Sequence, residues 1–185
     1  MLMSKNILWF TILFISLCQA RISKAQTISD DVLINRTNFG VPHIKAKNMQ
    51  AAGFAMGYLQ MEDYGNRIVN GLIRSRGEWT KYNEISGREL ENQLDNDAAN
   101  QLLHGRAVET FSLLKKETRD LNQGYADGIN RYLKLHPGEF PNWVKPDFTA
   151  YDVHATGIGS HSTASVKTFI RALEKKENTT AINNT

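Results

Sequence analysis

Ile34-Asn-Arg-Thr-Asn-Phe-Gly-Val-Pro-His-Ile-Lys-Ala-Lys-Asn48 is followed, after Met49-Gln50, by Ala51-Ala-Gly-Phe-Ala-Met-Gly-Tyr-Leu-Gln-Met-Glu-Asp63. The first stretch alternates in residue type around a Gly40-Val-Pro42 break. The second repeats small and apolar residues at helical spacing, so the period switches from two to about 3.6 near Asn48. This order predicts a short hairpin feeding a helix. From Asn48 to about Arg76, Phe54, Tyr58, Met61, Ile68, Leu72 and Ile73 occupy much of the circumference, which in a soluble protein means packing on more than one side. Gly53 and Gly57 add a small-x-x-x-small notch through which another backbone can come close. The notch has a membrane analogue, but the surrounding charges rule that out.

Further along, Val108, Phe111 and Leu114, then Leu121, Tyr125, Ile129, Tyr132 and Leu133, fall at three- and four-residue steps and predict two core-facing helices. His136-Pro-Gly138 ends the second. Asn83 to Gln101 is polar and rich in Glu, Asp and Asn, and reads as a solvated connection with room for a short helix. Pro137 to Pro146 holds three of the four prolines and is expected to be extended. Thr149-Ala-Tyr-Asp152 has the form of a capping box, with Asp in place of Glu, opening a last helix to about Lys176.

Met1 to Ala25 places Lys5 ahead of the apolar stretch Ile7 to Leu17, with Ser23-Lys-Ala25 supplying small residues for a cleavage site. It reads as a secretory signal peptide, since a bilayer-spanning helix needs about 20 apolar residues. Residues 1–25 are therefore taken as signal, 26–176 as the folded region and 177–185 as a flexible polar tail, in a periplasmic or secreted protein. The formal charge of +3 arises entirely in the first segment, which holds Lys5, Arg21 and Lys24 and no acidic residue. The remainder is neutral, which argues against nucleic acid or an anionic membrane as partner. Cys18, the only cysteine, lies in the same segment, so no disulfide is expected in the folded region.

Catalytic constellations are scarce. His154 and His161 stand seven apart with Asp152 nearby, but lack the closer step and third ligand usual for zinc, and no metal site is assigned. His43 reads as a residue that fixes the Gly-Val-Pro turn. Gly157-Ile-Gly-Ser-His-Ser162 only superficially suggests a nucleophile elbow, and no P-loop, dinucleotide fingerprint or CxxC is present.

Four blocks resemble a known family. Arg36-Thr-Asn-Phe-Gly-Val-Pro-His-Ile-Lys-Ala46, Gly57-Tyr-Leu-Gln-Met-Glu-Asp63, Ser75-Arg-Gly-Glu-Trp79 and Leu121-Asn-Gln-Gly-Tyr-Ala-Asp-Gly-Ile-Asn-Arg-Tyr-Leu133 are similar, in order, to signatures of the penicillin amidase (penicillin acylase) family. Within it they are nearest the acyl-homoserine lactone acylases; Met61 departs from the usual Ala. The resemblance spans roughly Val32 to Lys175. It implies the α-chain part of an αββα N-terminal nucleophile hydrolase: mainly α with a short N-terminal β-hairpin.

The same resemblance implies a secreted amide hydrolase cut from one precursor into α and β chains. The nucleophile would be a Ser at the start of a β chain beyond Thr185, activated by its own α-amino group. No catalytic residue is then expected in this chain. Its partners would be that β chain and a small-molecule acyl amide: an N-acyl-homoserine lactone, a β-lactam or a similar linear amide. A calcium ion, where the family has one, would be held mainly by the β chain. The last helix would help wall the acyl pocket, with Ile158, Ser160, Ser162, Ala164, Val166 and Phe169 as candidates and Phe169 foremost, since an acyl chain needs desolvated surface. Read without the resemblance, the chain equally describes a standalone helical binding or interaction module, or an inactive truncated remnant. An in-frame continuation into a Ser-Asn start separates the two.

Overall fold

The structure, a computed structural model, describes residues 31–183. The signal segment predicted over 1–25 lies outside the described residues, as do the final two positions. Two antiparallel strands, β1 (Val32–Arg36) and β2 (Pro42–Ala46), precede five helices: α1 (Met49–Ser75), α2 (Trp79–Tyr82), α3 (Gly87–Thr110), α4 (Lys116–Leu135) and α5 (Ala150–Asn183). The chain is thus mainly α with a short N-terminal hairpin, as its blocks implied.

In the hairpin Val32 faces Ala46 and Arg36 faces Pro42. The turn closes at Gly40, whose φ of 79° suits only glycine comfortably. Thr37 accepts the Gly40 N–H on its carbonyl and the Val41 N–H on its hydroxyl, and Arg36 donates to the Gly40 carbonyl at 2.9 Å. Arg36 and Thr37 therefore hold this turn, whereas His43 stands exposed on β2. Arg36 also donates to Glu62 and, at 3.2 Å, to Asp63, tying the hairpin to α1.

Helix α1 starts where the pattern changes, with the Asn48 side chain capping the Ala51 N–H at 2.8 Å. It bends at Tyr64, whose φ and ψ of −141° and 25° leave the helical region beside Gly65. Its end is a Schellman motif: Gly77 takes φ 67°, its N–H meets the Arg74 carbonyl, and the Glu78 N–H meets that of Ile73.

The seam between α1 and α4 has no side chains at its closest points. A Cβ at Gly53 would lie 2.1 Å from the Leu121 carbonyl oxygen, and one at Gly57 2.2 Å from that of Tyr125. In return, Cβ atoms at Gly124 and Gly128 would lie 1.9 and 2.1 Å from the carbonyls of Gln50 and Phe54. The predicted notch is thus half of a reciprocal pair. Below it sits the core: Met61, Val69, Leu72 and Ile73 of α1, Ile129, Tyr132 and Leu133 of α4, and Phe148 from the segment before α5.

Three expectations are corrected. The polar stretch 83–101 belongs largely to α3, a 24-residue helix, rather than to a solvated connection. Its buried positions are Asp97, Ala99, Leu103 and Ala107, so little apolar periodicity marks it. Val108 and Leu114 do not form a buried stripe with Phe111: α3 stops at Thr110, Phe111–Leu113 is a 3₁₀ turn, and Val108 is exposed. The last helix also continues past Lys176 to Asn183.

Alanine at Gly57 or Gly124 would drive a methyl into a carbonyl oxygen and part the helices. Each is expected to lower the unfolding free energy by about 3 kcal/mol. Gly71 of α1 and Gly105 of α3 have no atom within 4 Å of an added Cβ. Alanine there is expected to raise stability by about 0.5 to 1 kcal/mol. Urea unfolding of the four variants, followed by circular dichroism, checks both signs.

Candidate functional site

One side chain gathers the ends of several elements. Asp152, in the first turn of α5, is 2% exposed. Arg76, just past the end of α1, donates from Nε to its Oδ1 at 2.9 Å and from Nη2 to its Oδ2 at 2.7 Å. His104 Nε2 of α3 lies 2.9 Å from Oδ1. Thr149 donates its backbone N–H to Oδ2 at 2.7 Å and its hydroxyl at 3.0 Å, which is the capping box predicted over 149–152. Ser75 Oγ reaches the Asp152 carbonyl at 3.2 Å. Arg76 extends the set by donating to the Asp147 carboxylate and carbonyl at 3.0 and 2.9 Å. The guanidinium also stands over the Phe148 ring, 4.7 Å from its centroid.

Sequence geometry explains this convergence. The Schellman turn after Ser75 leaves Arg76 at the α1 terminus pointing across to the start of α5. Asn130 of α4 clamps Phe148 through both its amide atoms, accepting the N–H at 3.0 Å and donating to the carbonyl at 2.7 Å. That fixes the approach to Thr149.

The electrostatics are those of a joint rather than a reacting centre. Burial pushes the Asp152 carboxyl up, but the Arg76 hydrogen bond, the Thr149 N–H, the Arg76 charge and His104 together hold it below the usual carboxylate range. Burial likewise opposes the Arg76 charge, and Asp152 and Asp147 outweigh it, so the guanidinium is more firmly protonated than usual. A carboxylate kept ionised and carrying five donors makes a poor general base. The hydroxyl bonded to it, that of Thr149, is tied into the cap of α5 by the Asp152 N–H as well.

The residues predicted for an acyl pocket lie farther along α5. Ile158 and Val166 are half-buried and Phe169 is 60% exposed, with Leu173 one turn on at 46%. The side chains of Ser160, Ser162 and Ala164 lie outside the described residues. Phe169 and Leu173 thus present apolar surface to solvent, held alongside α3 by an exposed Arg171–Asp95 pair at 3.3 Å. Ile158, Val166 and Phe169 do not line the open groove of about 720 Å³ beside α2 and α3, which is bounded by Gly77, Thr80, Leu90, Leu94, Asp97 and Gln101. Asp97 there caps α2, accepting the N–H groups of Trp79 and Thr80 at 3.2 and 2.8 Å.

Among the described residues no three His, Cys, Asp or Glu side chains converge as a metal would need. The two most buried carboxylates among the described residues, Asp97 and Asp152, are filled by N–H, hydroxyl and guanidinium donors and do not fit a calcium ion, which the resemblance places mainly on a β chain. His154 packs against the Phe111 ring, 5.9 Å between centroids. The roles of Arg76 and His104 were not visible in the sequence. Arg76 sits in a quoted block without a partner, and its carboxylate is 76 residues away.

Residues 31–181 match the family model described as penicillin amidase. The chain is 34% identical over 125 residues to acyl-homoserine lactone acylase PvdQ of Pseudomonas fluorescens (strain Pf0-1), covering 65% of this chain and 16% of that protein. It is 28% identical over 110 residues to aculeacin-A acylase of Actinoplanes utahensis, covering 55% and 14%. Its fold is similar to that of a thermostable penicillin G acylase from Alcaligenes faecalis, with a TM-score of 0.57 and 24% identity over 72% of this chain and 73% of that one. The chain therefore spans about one sixth of the length of these curated relatives.

Because the folded-state pKa of Asp152 lies below its unfolded value, its contribution to stability is complete above about pH 4 and is lost as pH falls through the folded value. Asp152→Asn is expected to cost about 3 kcal/mol near neutrality, since it leaves Arg76 short of its charge partner. It should also flatten the decline of stability below about pH 4. Thermal unfolding of both proteins across that range checks the two effects together.

Proposed function

This chain belongs to the penicillin amidase family, and on that premise we propose that it is the α-chain region of a secreted, two-chain amide hydrolase acting on N-acyl-homoserine lactones. β-Lactams and similar linear amides form the wider substrate class. The observation that carries the choice of lactones is the similarity, through most of the folded region, to acyl-homoserine lactone acylases.

The four family blocks support a scaffold role for this chain. Arg36 and Gly40 close the hairpin, and Glu62-Asp63 anchors it on α1. Arg76-Gly-Glu78 ends α1 and reaches α5. Gly124 and Gly128 form the α4 side of the close seam. Each block is accounted for by packing or hydrogen bonding, and none brings a nucleophile to a base.

The chemistry accordingly falls to a β chain of the same precursor. Its N-terminal Ser hydroxyl attacks the amide carbonyl, and its free α-amino group takes the proton. The amine leaves, and water then releases the acyl group as a carboxylate. The contribution of this chain is to desolvate the acyl tail against Val166 and Phe169. Burying one such apolar contact is worth about 1.5 to 3 kcal/mol.

The test is production of this chain alone and together with the segment that follows it in frame, assayed for homoserine lactone release from short- and long-chain substrates. Hydrolysis is expected from the pair and none from the chain alone. Phe169→Ala in the pair should lower kcat/KM for a long-chain lactone by about tenfold, or about 1.4 kcal/mol, with a smaller effect on a short one. A pair that assembles stably yet hydrolyses none of these amides overturns the proposal.

A further inference from the structure

We infer that Arg76, Asp152 and His104 are positioning residues that set the direction of α5 and, through it, the place of the acyl-contact residues. The part of the inference that concerns the acyl pocket rests on the function proposed above.

Three observations carry it. The Asp152 carboxylate joins the end of α1, the body of α3, the segment from Asp147 to Thr149 and the first turn of α5 within single hydrogen bonds. It is 2% exposed, so its partners cannot be exchanged for water. Farther out, α5 packs alongside α3, and the ion pair there, Arg171–Asp95, has side-chain exposures of 61% and 40%, so it contributes little to fixing the helix. Phe169 and Leu173 there have apolar surface in solvent.

A helix whose direction is set at its base acts as a lever, because displacement grows along its length. Phe169 lies 17 residues from Asp152, about 25 Å at 1.5 Å per residue. A tilt of roughly 5° at the base moves it by roughly 2 Å over that length. Binding sites tolerate only about 0.5 Å of such error. The bidentate fork is suited to the task because two parallel N–H···O bonds fix orientation as well as distance. A lysine in its place keeps the charge and loses the orientation.

The test reads position first. Spin labels at Lys134→Cys on α4 and Ala172→Cys on α5, both exposed sites, in a Cys18→Ser background, report the direction of α5 by pulsed electron resonance on the full chain. Arg76→Lys is expected to shift or broaden the distance distribution by roughly 2 Å or more, the displacement computed for the lever. His104→Ala should do the same, and His104→Gln, which restores a donor to Asp152, should bring it back. Arg106→Ala, which breaks an exposed pair on α3, should leave it unchanged. Helical circular dichroism must be retained by each variant compared.

The second readout is kinetic. In the two-chain enzyme Arg76→Lys should raise KM for a long-chain lactone about tenfold and change kcat by less than about twofold. A distance distribution unmoved in folded Arg76→Lys overturns the inference, and so does a fall in kcat with KM unchanged. A wild-type pair without activity rejects the proposed function alone, because the distances are measured without substrate.

Discussion

The backbone of α1 approaches that of α4 so closely that four glycines are required where they meet, and the rest of the molecule is arranged around that constraint. Gly53 and Gly57 face carbonyls of α4, while Gly124 and Gly128 face carbonyls of α1. With the helices this near, Met61, Leu72 and Ile73 on one side meet Ile129, Tyr132 and Leu133 on the other in a continuous apolar core. The entropy that glycine costs within a helix is offset by packing along the whole length of the pair. Close-packed interiors transmit displacement, so the position of α4 fixes Asn130, and Asn130 fixes Phe148 and the approach to α5.

On this base stands a second constraint, which is electrostatic. The Arg76–Asp152 fork lies where α1 ends and α5 begins, with His104 bringing in α3. A buried pair of this kind is weak evidence for stability, because desolvation offsets much of the attraction. Its value here is directional. It defines how α5 leaves the core, and α5 carries the exposed apolar residues best suited to meet either an acyl tail or a partner chain. The glycine seam and the fork thus divide the work: one holds α1 and α4 together, the other sets how α5 leaves them to run beside α3.

How much of this was legible in the sequence follows from the range of each interaction. The hairpin, the start of α1 at Asn48, the glycine notch and the capping box at Thr149 and Asp152 are local, and each has a pattern within a few residues. The notch shows in α1 alone, since its α4 half is about 70 residues away and has no pattern that names its partner. Helix α3 has little signature in the sequence because it buries Asp97, Ala99, Leu103 and Ala107, a face too small and too polar to register as amphipathic. Val108 and Leu114 have the spacing of a core stripe, but the 3₁₀ turn at Phe111 breaks its phase. The fork was invisible because hydrogen-bonded charge pairs across separate elements leave no periodicity. Of the acyl-contact candidates, the apolar pair Val166 and Phe169 came from family likeness, and periodicity would not have singled them out.

The central claim is that a self-supporting α1–α4 core presents α5 to a β chain of the same precursor. Hydrogen exchange of this chain, free and assembled with the in-frame downstream segment, tests it most directly. The account predicts slow exchange from Gly53 to Met61 and from Gly124 to Leu133 in both states, with amides of Ser165 to Leu173 becoming protected only on assembly. Rapid exchange of the α1 and α4 segments in the free chain, or α5 amides indifferent to the added segment, would contradict it.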